Sequence, residues 1–298
     1  MANTANPPAY YVPEQSTLPL LTAFALFCLL IGGGAVINST EANGEAGASL
    51  WWMMTGLVLM AVVFFSWFGQ VIRENQAGMY SDQLNRSFVM GMSWFIFSEV
   101  MFFAAFFGAL FYVRTFAVPW LGGEGAKGVS HMLWPEFTAE WPLTQFPASE
   151  GFAEPHQLVN PWALPLINTL LLVSSSVTLT WAHHALRAEH REKLNRWLIV
   201  TVALGAIFLV LQAFEYYEAY SHYGLTLNSG IYGTTFFMLT GFHGAHVTIG
   251  TVMLLVMLLR SLKGHFTPDD HFGFEAAAWY WHFVDVVWIA LFIFVYIW

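Results

Sequence analysis

The stretch that decides the fold is Phe272-Gly-Phe-Glu275-Ala-Ala-Ala-Trp-Tyr-Trp-His282-Phe-Val-Asp285, which opens the last apolar segment of the chain. Together with the residues up to Trp298 it is long enough to cross a bilayer, yet it contains carboxylates and a histidine. An ionisable side chain at the centre of a bilayer costs about 2.5–3.5 kcal/mol on insertion scales. A chain that keeps several such groups uses them, either for chemistry or to hold its helices together.

The composition indicates a membrane protein. Of the 298 residues, 57% are hydrophobic and only 10% are charged, whereas soluble domains carry roughly 25% charged residues. A net charge of −9 with ten Lys and Arg argues against a nucleic-acid partner. The single cysteine, Cys28, excludes an intrachain disulfide framework and a Cys-rich metal site. The segment up to Ser16 lacks the basic start of a signal peptide, so the first apolar segment is predicted to be a retained helix.

Seven segments contain the roughly 20 apolar residues that a transmembrane helix requires. We therefore predict an all-α, polytopic membrane protein that forms one membrane domain over residues 1–298. The predicted spans lie at about residues 18–37, 50–72, 88–113, 162–186, 197–220, 231–259 and 274–298. Residues 114–161, rich in Pro and Trp, are predicted to form a long irregular loop outside the membrane.

The basic residues predict the orientation. Seven spans place the N-terminus and the connections after spans two, four and six on one side of the membrane. That side holds eight basic residues: Arg73, Arg86, Arg187, Arg191, Lys193, Arg196, Arg260 and Lys263. The other side holds only Arg114 and Lys127. Because positive loops stay in the cytoplasm, the N-terminus is predicted to be cytoplasmic and the C-terminus external.

Glu99 is an isolated carboxylate in the aromatic third span, about 16 Å from its cytoplasmic end. One interpretation is an acid that relays protons or binds a substrate. The other is a neutral glutamic acid that hydrogen-bonds to a neighbouring helix, because burial disfavours the charged form.

The last three spans carry polar side chains at helical spacing. They are Gln212, Glu215 and Glu218 in span five, His243 and His246 in span six, and Glu275, His282 and Asp285 in span seven. Three uses are open: a di-metal site, an interhelical hydrogen-bonding network and a proton path. Glu215 and Glu218 lie near the outer end, whereas His246, His282 and Asp285 lie about 17–21 Å from the cytoplasmic end. That separation, and the lack of a Glu-x-x-His motif, favour the network and predict no metal site and no catalytic residue.

Glycines beside these groups are predicted to admit neighbouring helices closely, as small residues do in membrane bundles. In and beside span six they are Gly230, Gly233, Gly241, Gly244 and Gly250. At the cytoplasmic interface, His183 and His184 are predicted either to anchor span four or to contact phospholipid head groups. Arg73, Arg260, Lys263 and His265 are candidates for the same lipid contact.

These strings resemble subunit III of the haem–copper cytochrome c oxidases. The resemblance covers most of the chain and is densest in Glu215–Ala219, Gly233–Gly250 and His265–Trp288. Ser98-Glu99-Val100 also matches, as does the run from Asn168 through His184.

The resemblance implies a subunit that binds no haem or copper, packs on subunit I and supports proton uptake and stability during turnover. Haem and copper would belong to partner subunits, and cytochrome c would be the electron donor. The helices would form a group of two and a group of five, separated by a cleft that holds phospholipids. Glu99 matches the family's buried carboxylate. Arg73 with Glu74, and Arg260, Lys263 and His265, match its interfacial groups, and Tyr80 lies where the family often has a His pair.

These features place the chain in a bacterial inner membrane as a non-catalytic oxidase subunit. The alternatives are the counterpart in a quinol oxidase, which typically lacks the first two spans, an independent transporter or proton channel, and a di-metal membrane enzyme. No repeated half and no matching pair of broken helices supports transport.

Overall fold

The computed structural model describes residues 15–43, 47–125, 128–147 and 152–298. Two predictions fall on residues outside these ranges, namely the placement of Lys127 and the interpretation of the polar segment before residue 15.

Seven helices are long and apolar enough to cross a membrane, and the described residues contain no strand. The all-α fold and the number of spans are therefore confirmed. The helices are α1 (Leu18–Asn43), α2 (Gly47–Gln76), α3 (Asp82–Tyr112), α4 (Leu164–Arg187), α5 (Arg191–Ser221), α6 (Gly230–Leu262) and α7 (Phe272–Leu291). π-helical segments extend α3 through Val113–Ala117 and α7 through Phe292–Ile297.

The chain divides into two compact units, one ending at Phe88 and the other beginning at Val89. The first unit contains α1 and α2, and the second contains most of α3 with α4 to α7. This division matches the predicted groups of two and five helices. Within the first unit, α1 lies directly on α2, because a Cβ at Gly32 would overlap the backbone of Met53 and a Cβ at Gly56 would overlap that of Leu29.

In the second unit α7 is the central helix. Of its most apolar stretch 61% is buried, against 39% or less for every other span. Its Trp281 is fully buried, and the indole ring lies where a Cβ at Gly205 of α5 or Gly250 of α6 would stand, 2.7 and 2.9 Å from ring carbons. The prediction that neighbouring helices approach the α6 glycines is confirmed at Gly241 and Gly250, which face side chains of α5 and α7. It is wrong at the other three. Gly230 and Gly233 face residues outside the spanning helices, and Gly244 has no neighbour within 4 Å.

The prediction of an irregular loop from residue 114 was wrong at its start. After the π-helical segment the chain continues as the helix Val118–Leu121, and a further short helix covers Gly128–Leu133. Pro119 does not end the helix, because it falls in the first turn of Val118–Leu121, where a missing N–H leaves no hydrogen bond unmade.

Helices α2, α4 and α6 end in the same way, with a residue at positive φ that reverses the chain. These residues are Gly78, Glu189 and Gly264, at φ 69°, 60° and 74°. After α6, the N–H of Gly264 donates to the Ser261 carbonyl and that of His265 donates to the Arg260 carbonyl, which is a Schellman motif. The compact turn at Glu189, between α4 and α5, explains why α5 begins at Arg191, six residues before its predicted start. The basic residues consequently lie in helix ends, where cations complement the helix dipole at α2, α4 and α6.

Candidate functional site

Glu99 of α3 pairs with His246 of α6. Glu99 Oε2 lies 2.8 Å from His246 Nε2, and the two side chains are 22% and 13% exposed. His246 Nδ1 lies 2.6 Å from the Phe242 carbonyl, which can only accept, so Nδ1 donates there. One proton must then lie between Nε2 and the carboxyl group, and the pair is neutral overall wherever that proton resides. The aromatic ring of Phe103 covers His246 at 5.0 Å between ring centroids.

Glu215 of α5 lies in a second hydrogen-bonded set near the C-terminal end of that helix. Its side chain is almost fully buried, and Oε1 accepts from the Tyr296 hydroxyl at 2.6 Å and from Gln212 Nε2 at 3.4 Å. Asn168 of α4 donates to Gln212 at 3.5 Å. Glu218 is half-buried one turn further along α5, outside this set.

A third set joins α7 to α4. His282 Nδ1 lies 3.2 Å from the Ser176 hydroxyl, and Asp285 also faces Ser176. The residue before His282, Trp281, donates its indole N–H to Ser175 at 2.9 Å. Two adjacent residues of α7 therefore contact two adjacent serines of α4.

His243 has an architectural environment. It is 1% exposed, and Nε2 donates to the Val284 carbonyl of α7 at 3.1 Å. Its ring packs against those of Trp288 and Phe208, at centroid distances of 5.0 and 5.8 Å. The imidazole thus ties α6 to α7.

These contacts place the predicted polar residues in separate interhelical sets rather than around one centre. Glu215 bonds to Tyr296 in the π-helical segment after α7, whereas Glu99 and His246 form a separate pair. Sequence reasoning did not identify the hydroxyl partners Tyr296, Ser175 and Ser176, because Ser and Tyr in a span carry no pattern that marks a bonding role.

A further cluster lies at the adjoining ends of α4 and α7. His183 Nε2 and His271 Nε2 lie 3.5 and 3.3 Å from Glu275 Oε1. Sequence reasoning missed this cluster, although His271 and Glu275 are four residues apart and hence on one helical face.

The interfacial candidates of the first unit lie at the end of α2. Glu74 accepts hydrogen bonds from Gln70 at 2.8 Å and from the Tyr80 hydroxyl at 3.2 Å, and Tyr80 also donates to the Val71 carbonyl. Arg73 is exposed. Tyr80 therefore closes the turn onto α2 and orients the carboxylate beside an exposed cation.

The interfacial candidates of the second unit follow α6. The Arg260 guanidinium stacks over Phe266 at 4.6 Å, and Lys263 is exposed. The pKa of His265 is lowered below its ordinary value, first by desolvation and then by the positive charges of Arg260 and Lys263. His265 therefore offers hydrogen bonds rather than charge at neutral pH.

His184 lies in a shallow hollow of about 480 Å³ at the turn between α4 and α5. The hollow combines aromatic, aliphatic and basic groups, and its lining consists of Trp181, His184, Ala185, Ala188, His190, Lys193 and Trp197. Trp181 and Trp197 form an edge-to-face pair at 4.6 Å. An apolar wall with a basic rim suits an amphipathic molecule.

Comparison with known proteins gives a consistent result. The family model described as cytochrome c oxidase subunit III matches residues 8–132 and 142–298. Proteins named cytochrome c oxidase subunit 3 from Hippopotamus amphibius and Tragelaphus oryx are 42% and 40% identical over 291 residues. A third, from Antilope cervicapra, is 40% identical over 295 residues, and 97% of each chain is covered in all three comparisons. The chain therefore belongs to the cytochrome c oxidase subunit III family.

Proposed function

We propose that this chain is a non-catalytic core subunit of a proton-pumping haem–copper cytochrome c oxidase in an aerobic respiratory chain. It packs on subunit I, which with other partner subunits carries haem and copper, and cytochrome c donates electrons to the complex. The observation that carries the proposal is the pairing of polar side chains across helices within this family's fold. Glu99 pairs with His246, Glu215 with Tyr296, and His282 with Ser176.

The exposed apolar surface fits a subunit that is covered by lipid and by partner chains. In α1, α2 and α3 only 11–17% of the most apolar stretch is buried. Isolated water-soluble chains do not expose apolar surface on this scale. We assign phospholipid head-group contact to Arg73, Glu74 and Tyr80 in the first unit, and to His183, His184, Arg260, Lys263 and His265 in the second. The hollow around His184 offers an acyl chain its apolar wall and a head group its basic rim.

The proposed location is a bacterial inner membrane, with the N-terminus in the cytoplasm and the C-terminus outside. The charge asymmetry between the two sides supports this orientation. The mammalian relatives also allow a mitochondrial inner membrane as the location of an equivalent subunit. There the same charge rule would put the basic side in the matrix.

The quinol oxidase counterpart is the second candidate. Counterparts of that type typically lack the first two spans, and this chain has both α1 and α2. The structure therefore favours the cytochrome c enzyme over the quinol enzyme.

Co-purification tests the proposal. An affinity-tagged copy of this chain, extracted in mild detergent, is expected to bring down a haem-containing partner in constant proportion. Oxygen consumption with reduced cytochrome c, compared with a quinol donor, separates the two candidates. Recovery of the tagged chain in full yield and without any haem protein would refute the proposal.

Substitution of Glu99 by Gln tests whether its carboxyl group relays protons. The Gln amide donates to His246 Nε2 as a neutral carboxyl group would, so we expect normal assembly, mostly intact oxygen reduction and a stability change below about 1 kcal/mol. Glu99→Leu is the control, because it leaves His246 Nε2 unpaired and should lower stability by about 1–3 kcal/mol. Complete loss of oxidase activity in a fully assembled Gln variant would instead identify Glu99 as an obligatory proton carrier.

A further inference from the structure

We propose that His183, His271 and Glu275 form a binding site for a divalent transition-metal ion, for which Zn²⁺ is the best match. His183 lies just before the last turn of α4, His271 immediately precedes α7, and Glu275 lies in the first turn of α7. One potential ligand atom from each side chain lies within 4.8 Å of the other two. The site is separate from the polar sets inside the bundle.

The distances suit tetrahedral coordination. Zn²⁺ bonds to nitrogen and oxygen at roughly 2.0–2.2 Å, which places neighbouring ligand atoms of a tetrahedron about 3.4 Å apart. Glu275 Oε1 lies 3.5 Å from His183 Nε2 and 3.3 Å from His271 Nε2. Two of the three ligand separations thus already match those of a zinc tetrahedron, and one ligand atom of each side chain lies within 4.8 Å of the other two.

The hydrogen bonds of the site leave one nitrogen atom of each imidazole available for a metal ion. His271 Nδ1 lies 3.1 Å from the Thr267 carbonyl, so Nδ1 donates its proton there and Nε2 faces Glu275. This outer hydrogen bond fixes the tautomer that a metal-binding histidine requires. His183 Nε2 is a buried atom without a hydrogen bond. Two imidazole nitrogens therefore face one carboxylate oxygen, and a cation placed between them could bind all three atoms.

The ligand types select the metal. Two imidazoles and one carboxylate suit Zn²⁺ and its transition-metal neighbours, whereas Mg²⁺ and Ca²⁺ prefer oxygen ligands. Arg187 and His184 lie near His183 and oppose a cation, so the imidazoles rather than net negative charge must supply the affinity. Water would occupy the fourth position, because the three side chains are 28%, 11% and 33% exposed. A bound ion would join the end of α4 to the start of α7.

Zinc titration tests the proposal. The complex, purified in mild detergent and stripped with a chelator, would be dialysed against buffered Zn²⁺, with bound zinc measured by metal analysis. We expect one zinc ion per chain that excess Mg²⁺ does not displace, and a zinc absorption-edge spectrum with two imidazole ligands. His271→Ala and the isosteric Glu275→Gln are each expected to weaken binding about tenfold or more.

His184→Ala is the matched control, because His184 is adjacent to His183 but is exposed and lies in the neighbouring hollow. It should not weaken zinc binding, because His184 supplies no ligand and opposes a nearby cation. Equal zinc binding by the wild type and the Glu275→Gln variant would overturn the proposal, as would a bound ion without imidazole ligands. Circular dichroism would confirm that each variant remains helical, and the Glu275→Gln result decides if His271→Ala fails to fold.

Discussion

Trp281→Ala is expected to destabilise the five-helix unit by about 3–5 kcal/mol, the usual range for truncating a large buried aromatic side chain. Trp281 is 0% exposed, donates to Ser175 of α4 and fills the space above Gly205 of α5 and Gly250 of α6. Its removal would leave a cavity where α7 meets three other helices. In a membrane such packing is the main attraction between helices, since lipid tails are as apolar as the side chains.

The measurement is the midpoint of thermal denaturation of the complex in mild detergent. Trp281→Phe is the control, because it keeps most of the ring but removes the N–H that Ser175 accepts. It should lose about 0.5–1.5 kcal/mol for the hydrogen bond, together with a smaller packing loss. Equal stability of the Ala variant and the wild type would show that the four helices do not depend on this residue.

Gly32→Leu is expected to push α1 away from α2. A Cβ at Gly32 would overlap the Met53 backbone nitrogen and lie 2.6 Å from its Cα, and a backbone cannot rotate aside as a side chain can. Overpacking a tight contact costs about 1–3 kcal/mol, and occasionally more. Cys28, one turn before Gly32 on the same face and fully buried, should become accessible. Since it is the only cysteine in the chain, maleimide labelling reports on it directly.

Gly33→Leu is the matched control for this experiment. Gly33 follows Gly32 in the same helix, but no atom lies within 4 Å of a Cβ placed there. Labelling of Cys28 should therefore stay at the wild-type level. Equal labelling of both variants would mean that α1 and α2 do not pack through Gly32.

The number of spans could be predicted from sequence because helix formation in a membrane is a local requirement. Every backbone N–H and C=O must bond within its own segment, so length and hydropathy are sufficient. The same local logic failed after residue 113, where the Pro-rich sequence suggested that the helix ends and a loop begins. A π-helical segment and a new first turn carried the chain on to Leu121.

The candidate polar residues could also be identified from sequence, since ionisable groups stand out in apolar segments. Their partners could not. Glu99 bonds to His246, 147 positions away, and Tyr296 bonds to Glu215, 81 positions away. The three interfacial ligands His183, His271 and Glu275 are likewise brought together by the packing of α4 against α7, although their residue types were visible from the start.

The run Gly32-Gly33-Gly34 shows most clearly which properties follow from the sequence and which depend on the tertiary structure. The sequence by itself determined that α1 is an apolar, membrane-length helix containing three small residues, because hydropathy and backbone bonding depend on the segment alone. Only the tertiary structure decided that Gly32 lies against α2 while Gly33 and Gly34 face open space. The physical reason is that contact depends on which side of a helix meets its neighbour, and successive residues point about 100° apart around the axis.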